Sequence, residues 1–150
     1  MNVYLDTNVF LIFVEEDISN CEIILKAAEN SLFTPVISFH TFNEISKNLK
    51  SRNLKDLAGF LLFYIWSLPD IIVVQREQFR KYEKQYSDLV TDIDDLPHIY
   101  AYFEGECDYF VTTNRRLTQM KIRESVNFKS PKEFAEEILG VEGFDTKNGI

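Results

Sequence analysis

Val3-Tyr4-Leu5-Asp6-Thr7-Asn8-Val9-Phe10 holds the first clue to the fold. A short β-prone run stops at an acid, and Val9 to Val14 then reads as a buried helical turn or two. Further along, helix resumes at Asp17 or Ser19, carries Cys21, Ile24, Leu25 and Ala28 on one face, and stops near Asn30. Phe33 to Ser38 is a second strand, its Val36 and Ile37 being β-branched. Helices follow from about Phe39 to Lys50 and from Leu54 to Leu68, the second ended by Pro69. Ile71 to Val74 is an aliphatic run with the composition of a strand buried on both faces of a parallel sheet. Glu77 to Leu89 reads as a charged helix, and Asp95 to Glu104 as another that stops near Gly105. Tyr109 to Thr112 is a fourth strand, Val126 to Phe128 a weak fifth, and Pro131 to Leu139 a closing helix ended by Gly140.

Strands alternating with helices imply a parallel sheet covered on both faces. The expected architecture is α/β, a three-layer α/β/α sandwich with a parallel sheet of four to five strands. No repeat, low-complexity tract or linker divides the 150 residues, so residues 1–150 form a single domain with a frayed tail from Asp145 to Ile150. A chain of 17.6 kDa buries roughly 69% of its unfolded surface, enough for a core without disulfide or structural metal.

The net charge of −8 argues against a protein that grips nucleic acid simply by being positive. Cys21 and Cys107 lie far apart and match no zinc spacing, which suits two reduced thiols. No basic–apolar leader opens the chain, and Phe60 to Trp66 is too short to span a bilayer. The expectation is a cytoplasmic protein.

Ligands of open parallel sheets sit beyond the carboxyl ends of the strands. Asp6 follows the first strand, Glu44 lies on the helix after the second, and Asp94 and Asp95 open the helix that leads to the fourth. Two carboxylates 4 Å apart repel by about 4 kcal/mol at an effective dielectric near 20, so a converged trio must take up protons or a cation. Oxygen-only ligands select hard ions such as Mg²⁺ or Mn²⁺, which activate water and neutralise charge on a phosphodiester.

Each acid also has a plainer reading. Asp6 suits an N-cap, and Asp94 and Asp95 suit a helix start. Glu44 points away from the stripe Phe39, Phe42, Ile45 and Leu49, as a solvated glutamate would. A lone His98 reads as helix surface or a satisfied core group. Thr112 to Arg123 holds Arg115, Arg116, Lys121 and Arg123 with no acid, which reads equally as a phosphate-contacting rim or a solvated basic helix.

Taken in order, Val3-Tyr4-Leu5-Asp6-Thr7-Asn8, Ile37-Ser38, Asn43-Glu44-Ile45, Asp94-Asp95 leading to His98-Ile99-Tyr100-Ala101, and Cys107-Asp108-Tyr109-Phe110-Val111-Thr112-Thr113-Asn114 resemble a PIN domain. These are small metal-dependent ribonucleases that include the VapC toxins of toxin–antitoxin pairs. The resemblance implies that Asp6, Glu44 and Asp95 are catalytic acids and ligands of Mg²⁺ or Mn²⁺, with Asp94 in reserve. Asn8 and Thr112 would be supporting polar groups, Asn114 would position a water or the metal, and Arg115 and Arg116 would steer an RNA backbone. An antitoxin partner and a homodimer are implied as well, the run Phe60 to Trp66 offering a surface that core burial would explain equally.

One departure stands out: Asn114 takes the place where the family often has a fourth acid. A catalytically degenerate PIN domain, serving as an RNA-binding or protein-interaction module, is therefore the alternative. An aspartyl-nucleophile phosphoryl transferase is disfavoured, because Asn8 stands where haloacid-dehalogenase phosphatases need a second Asp and Gln75-Arg76 where receiver domains need one.

Overall fold

The computed structural model describes residues 1–146 and 150. Its strands are β1 (Asn2–Leu5), β2 (Thr34–Ser38), β3 (Ile72–Val74), β4 (Tyr109–Val111) and β5 (Phe128–Lys129). Its helices are α1 (Thr7–Glu15), α2 (Asn20–Glu29), α3 (Phe39–Ser51), α4 (Lys55–Trp66), α5 (Arg80–Tyr86), α6 (Leu96–Glu104) and α7 (Pro131–Glu133). All strand pairs are parallel, in the order β3-β2-β1-β4-β5. The order reverses at β1: the chain first builds outward through β2 and β3, then crosses back to β4. The crevice beyond the carboxyl ends of β1 and β4 is thus the topological switch point, where α/β sheets bind their ligands.

Alternation along the strands makes two cores. Val3, Leu5, Ile37 and Val111 face α1 to α4 together with Phe10, Leu61 and Phe134. Tyr4, Val36, Val74 and Phe110 face α6 with Phe79, Ile99 and Leu117. The α/β/α sandwich expected from the sequence is therefore present. Gly105 ends α6 because the chain passes so close to β2 that a Cβ there would meet Val36 Cγ1 at 2.6 Å.

Several expectations are corrected. Ile72–Val74 is an edge strand, paired only with β2, and Ile72 is 36% exposed. The helix expected from Glu77 to Leu89 is broken into a 3-10 turn at Arg76–Gln78, α5, and a second 3-10 turn at Ser87–Leu89. Buried Phe79 between the first two pieces packs on Tyr100 and Phe39, and that anchoring divides the run. Past α7 the closing helix widens into a π-helical turn, Phe134–Ile138, which keeps Phe134 and Ala135 in the core. The basic segment forms 3-10 turns at Leu117–Gln119 and Lys121–Glu124 rather than a helix.

The tail is tied down where it is described. Buried Asn20 donates to the Phe144 and Ile150 carbonyls at 3.0 and 3.2 Å and accepts the Phe144 N–H at 2.6 Å. Lys132 meets Asp145 at 2.6 Å. Residues 147–149 of the expected frayed tail lie outside the described residues. Cys21 and Cys107 are free thiols. Among the described residues no helix is long and apolar enough to cross a membrane.

Candidate active site

Asp6 follows β1 directly, and its extended backbone makes it the N-cap of α1. Oδ1 accepts the Thr7 N–H at 2.9 Å, and Oδ2 accepts the hydroxyl of buried Thr112 at 2.7 Å. A carboxylate offers about four lone-pair positions, so two donors fix Asp6 and leave it able to bind more. The capping residue also lines the cleft.

Glu44 sits on α3, whose first turn is capped by Ser38 Oγ accepting the His40 N–H at 3.0 Å. The solvated glutamate expected from the stripe is corrected: Glu44 is half-buried, and its Oε1 accepts the Thr7 hydroxyl at 2.7 Å and meets His98 Nε2 at 2.5 Å. Burial works against its charge, but the His98 hydrogen bond and charge, the Thr7 hydroxyl and nearby His40 outweigh that and hold the carboxyl below its usual range.

Asp92 Oδ1 caps a 3-10 turn, Ile93–Asp95, by accepting the Asp94 N–H at 3.0 Å. The two neighbouring aspartates then part. Asp94 is exposed, whereas Asp95 is half-buried and its Oδ2 is buried with no hydrogen-bond partner. Burial first, then the charges of Asp92, Asp6 and Glu44 against an opposing His98, push the Asp95 carboxyl up to about 6. A buried, unpartnered carboxylate oxygen among like charges is costly, and a cation relieves it.

His98 lies three residues past Asp95, on the same side of α6, and is buried between Glu44 and the Tyr4 hydroxyl, which bonds its Nδ1. In the neutral ring, Nε2–H donates to Glu44 and Nδ1 accepts from Tyr4. The Tyr4 phenol stays protonated, its pKa raised by burial and by the Asp6 charge. Burial opposes the imidazolium, yet the carboxylates of Asp6, Glu44 and Asp95 prevail and raise the His98 pKa above its ordinary value. His98 is therefore not helix surface but a buried group with both ring nitrogens bonded, the second of its two expected readings. Its spacing from Asp95 was the available signal, as the four-residue spacing to Glu44 was for His40, which the sequence reading passed over.

These side chains line a cleft of about 850 Å³ together with Asn8, Lys47, Thr113 and Asn114. Asn8 is exposed, its amide 3.4 Å from the Thr113 hydroxyl. Asn114 uses Oδ1 to accept the Leu117 N–H at 3.2 Å, and its own N–H donates to Thr112 Oγ1 at 3.0 Å. Its side chain thus shapes the loop after β4. Arg116 is exposed and 3.9 Å from Asp92, while Arg115 lines an adjoining cleft of about 720 Å³ with Arg123 and Lys129.

Among the described residues, the three metal-ligating side chains whose ligand atoms all lie within 4.8 Å of one another are His40, Glu44 and His98. Asp6, Glu44 and Asp95 all line the cleft, and the three are not among the groups that lie within 4.8 Å of one another. A hard divalent ion needs only one or two direct carboxylates.

Residues 2–116 match the family model of the PIN domain. VapBC2 from Rickettsia felis, bound to a DNA fragment from its promoter, is similar in fold: TM-score 0.62 at 14% identity, over 87% of this chain and 98% of that one. VapBC-1 from nontypeable Haemophilus influenzae is similar too, with TM-score 0.61 at 15% identity over the same shares. No protein of curated function matches by sequence.

Proposed function

The chain belongs to the PIN-domain family, and from that premise we propose that it is a metal-dependent endoribonuclease. The observation that carries the reading is the cleft itself. Asp6, Glu44 and Asp95 come to the switch-point edge from three separate elements, and one buried Asp95 oxygen lacks any partner. Asp6 and Asp95 would hold Mg²⁺ or Mn²⁺, with Glu44 across the cleft and Asp94 at its exposed mouth. Such an ion supplies Lewis acidity toward a phosphodiester and eases the ionisation of an attacking water.

The chain's own groups do the rest. Thr7 and Thr112 hold both oxygens of Asp6, so the carboxylate is set before substrate arrives. Glu44, kept ionised by His98 and Thr7, is the acceptor for the proton that the attacking water gives up. Asn8 and Lys47 line the cleft where an RNA strand would enter, and Arg115 and Arg116 offer phosphate contacts along its rim.

The reading includes a toxin role and an antitoxin partner, as the fold shared with VapBC2 and VapBC-1 suggests, and, from the family resemblance, a homodimer in the cytoplasm. Phe60, Phe63 and Trp66 on α4, between 56% and 75% exposed, support a protein-facing surface.

Asp6→Asn tests the chemistry. Asparagine caps a helix as well as aspartate does, so the melting temperature should stay near wild type while Mn²⁺-dependent RNA cleavage disappears. Undiminished cleavage by the variant, or cleavage in excess EDTA, sinks the mechanism. One observation favours a degenerate module instead: the Asn114 carbonyl is already taken by Leu117. Calorimetric titration with Mn²⁺ separates the two, since a module would bind RNA yet give no heat at millimolar metal.

A further inference from the structure

We propose that His40, Glu44 and His98 form a second cation site in the cleft, selective for zinc and similar nitrogen-seeking ions, and that filling it draws Glu44 out of the nuclease carboxylate set. The inhibitory half of this rests on the nuclease reading; the binding half stands without it.

His40 and Glu44 are four residues apart on α3 and so share a face, and His98 meets them from α6. Their ligand atoms lie within 4.8 Å of one another, His98 Nε2 and Glu44 Oε1 being 2.5 Å apart. Zinc with arms of about 2.0–2.2 Å sets tetrahedral ligand atoms roughly 3.3–3.5 Å apart. The hydrogen-bonded pair must therefore separate by under about 1 Å, and His40, half-buried on the cleft wall, must close by little more.

Two imidazoles, one carboxylate and an open fourth position make a zinc donor set. Magnesium prefers oxygen alone and gains nothing from the two rings. The surroundings suit a ligand histidine as well. The Tyr4 hydroxyl holds the other ring nitrogen, and in the zinc-bound form Nδ1–H donates to it while Nε2 binds the ion. The neutral ring thus changes tautomer: the Nε2 proton that now faces Glu44 leaves and Nδ1 takes one up, with no net release of protons.

The test is zinc titration of the metal-free full chain, followed by calorimetry and by the visible spectrum of Co²⁺ as a zinc surrogate. Wild type should bind one zinc and give the intense four-coordinate Co²⁺ bands. His40→Ala should weaken zinc at least tenfold, whereas Asp95→Asn should leave zinc within threefold and weaken Mn²⁺. Equal zinc affinity in His40→Ala, or an equal loss in Asp95→Asn, overturns the site. His40→Gln, which keeps the volume, serves as second variant should His40→Ala melt at lower temperature. Where Mn²⁺ supports cleavage, zinc should suppress it in wild type and not in His40→Ala. Absence of cleavage with every metal overturns the nuclease reading alone, and the binding measurements still decide the zinc site.

Discussion

On one side of the sheet, α1 to α4 pack mostly aliphatic side chains around a few rings such as Phe10 and Phe134: Ile24, Leu25, Ile45, Leu49, Leu61 and Ile65 are all fully buried. On the other, α5, α6 and a series of 3-10 turns pack rings: Tyr86 lies flat on Phe103 with centroids 4.1 Å apart, and Tyr4 leans on Phe110 at 4.7 Å. Long helices bury an apolar stripe that holds itself in place by interdigitation. Short turns have no such stripe and rely on single buried anchors such as Phe79. The cleft is built where the two sides meet. Glu44 comes from the aliphatic side, Asp95 and His98 from the turn-rich side, and the Glu44–His98 bond joins them.

The largest effect expected from this contrast is on stability. Leu61 and Leu117 are both buried, one in the middle of α4 and the other in a three-residue 3-10 turn. The cost of Leu→Ala runs from about 2 to 5 kcal/mol and depends on how far the surroundings can collapse into the void. Leu61→Ala should therefore cost about 4 kcal/mol and Leu117→Ala about 2 kcal/mol by urea denaturation. Equal losses would break the contrast between the two sides.

The same contrast explains what the sequence made legible. Strand alternation and the apolar stripes of α2 and α3 are local, so β1, β2, β4 and the aliphatic side could be read directly. Glu44 was legible as a residue type and not as a buried one: the stripe reports contact with the sheet, whereas Glu44 is covered by α6. That β3 lies at an edge depends on strand order, which no local pattern encodes. The broken stretch from Glu77 to Leu89 hides for a similar reason, since Phe79 finds its partners in Phe39 and Tyr100, far along the chain. Two-residue β5 is too short for any periodicity.

A smaller, sharper effect follows from Asp95. Its carboxyl titrates at about 6, above the ordinary carboxylate range, so the folded chain holds that proton more tightly than the unfolded chain does. Metal-free stability from this group is therefore greatest at low pH and is lost as pH rises toward 6. Metal affinity runs the other way, because proton and cation compete for the same oxygen. Mn²⁺ binding should be about tenfold weaker at pH 5 than well above pH 6. Asp95→Asn should remove that share of the slope and leave only the part owed to His98, whose imidazolium also opposes a cation. Calorimetric Mn²⁺ titration across pH checks both, and an unchanged slope in Asp95→Asn would remove Asp95 from the metal site.

The smallest effect on the monomer is expected on the outer face of α4. Phe63 is 75% exposed, so Phe63→Ser removes little buried area and should change unfolding free energy by no more than about 0.5 kcal/mol. Leu61, two residues earlier on the same helix, is wholly buried. The pair thus separates the inner face of α4, which holds the fold, from the outer, where Phe63 stands in solvent. If that outer face joins two copies, melting of wild type depends on protein concentration, and Phe63→Ser abolishes the dependence while barely moving the dilute value. Light scattering of both proteins checks the mass directly, and a wild-type chain that stays monomeric at high concentration leaves the face to a different protein.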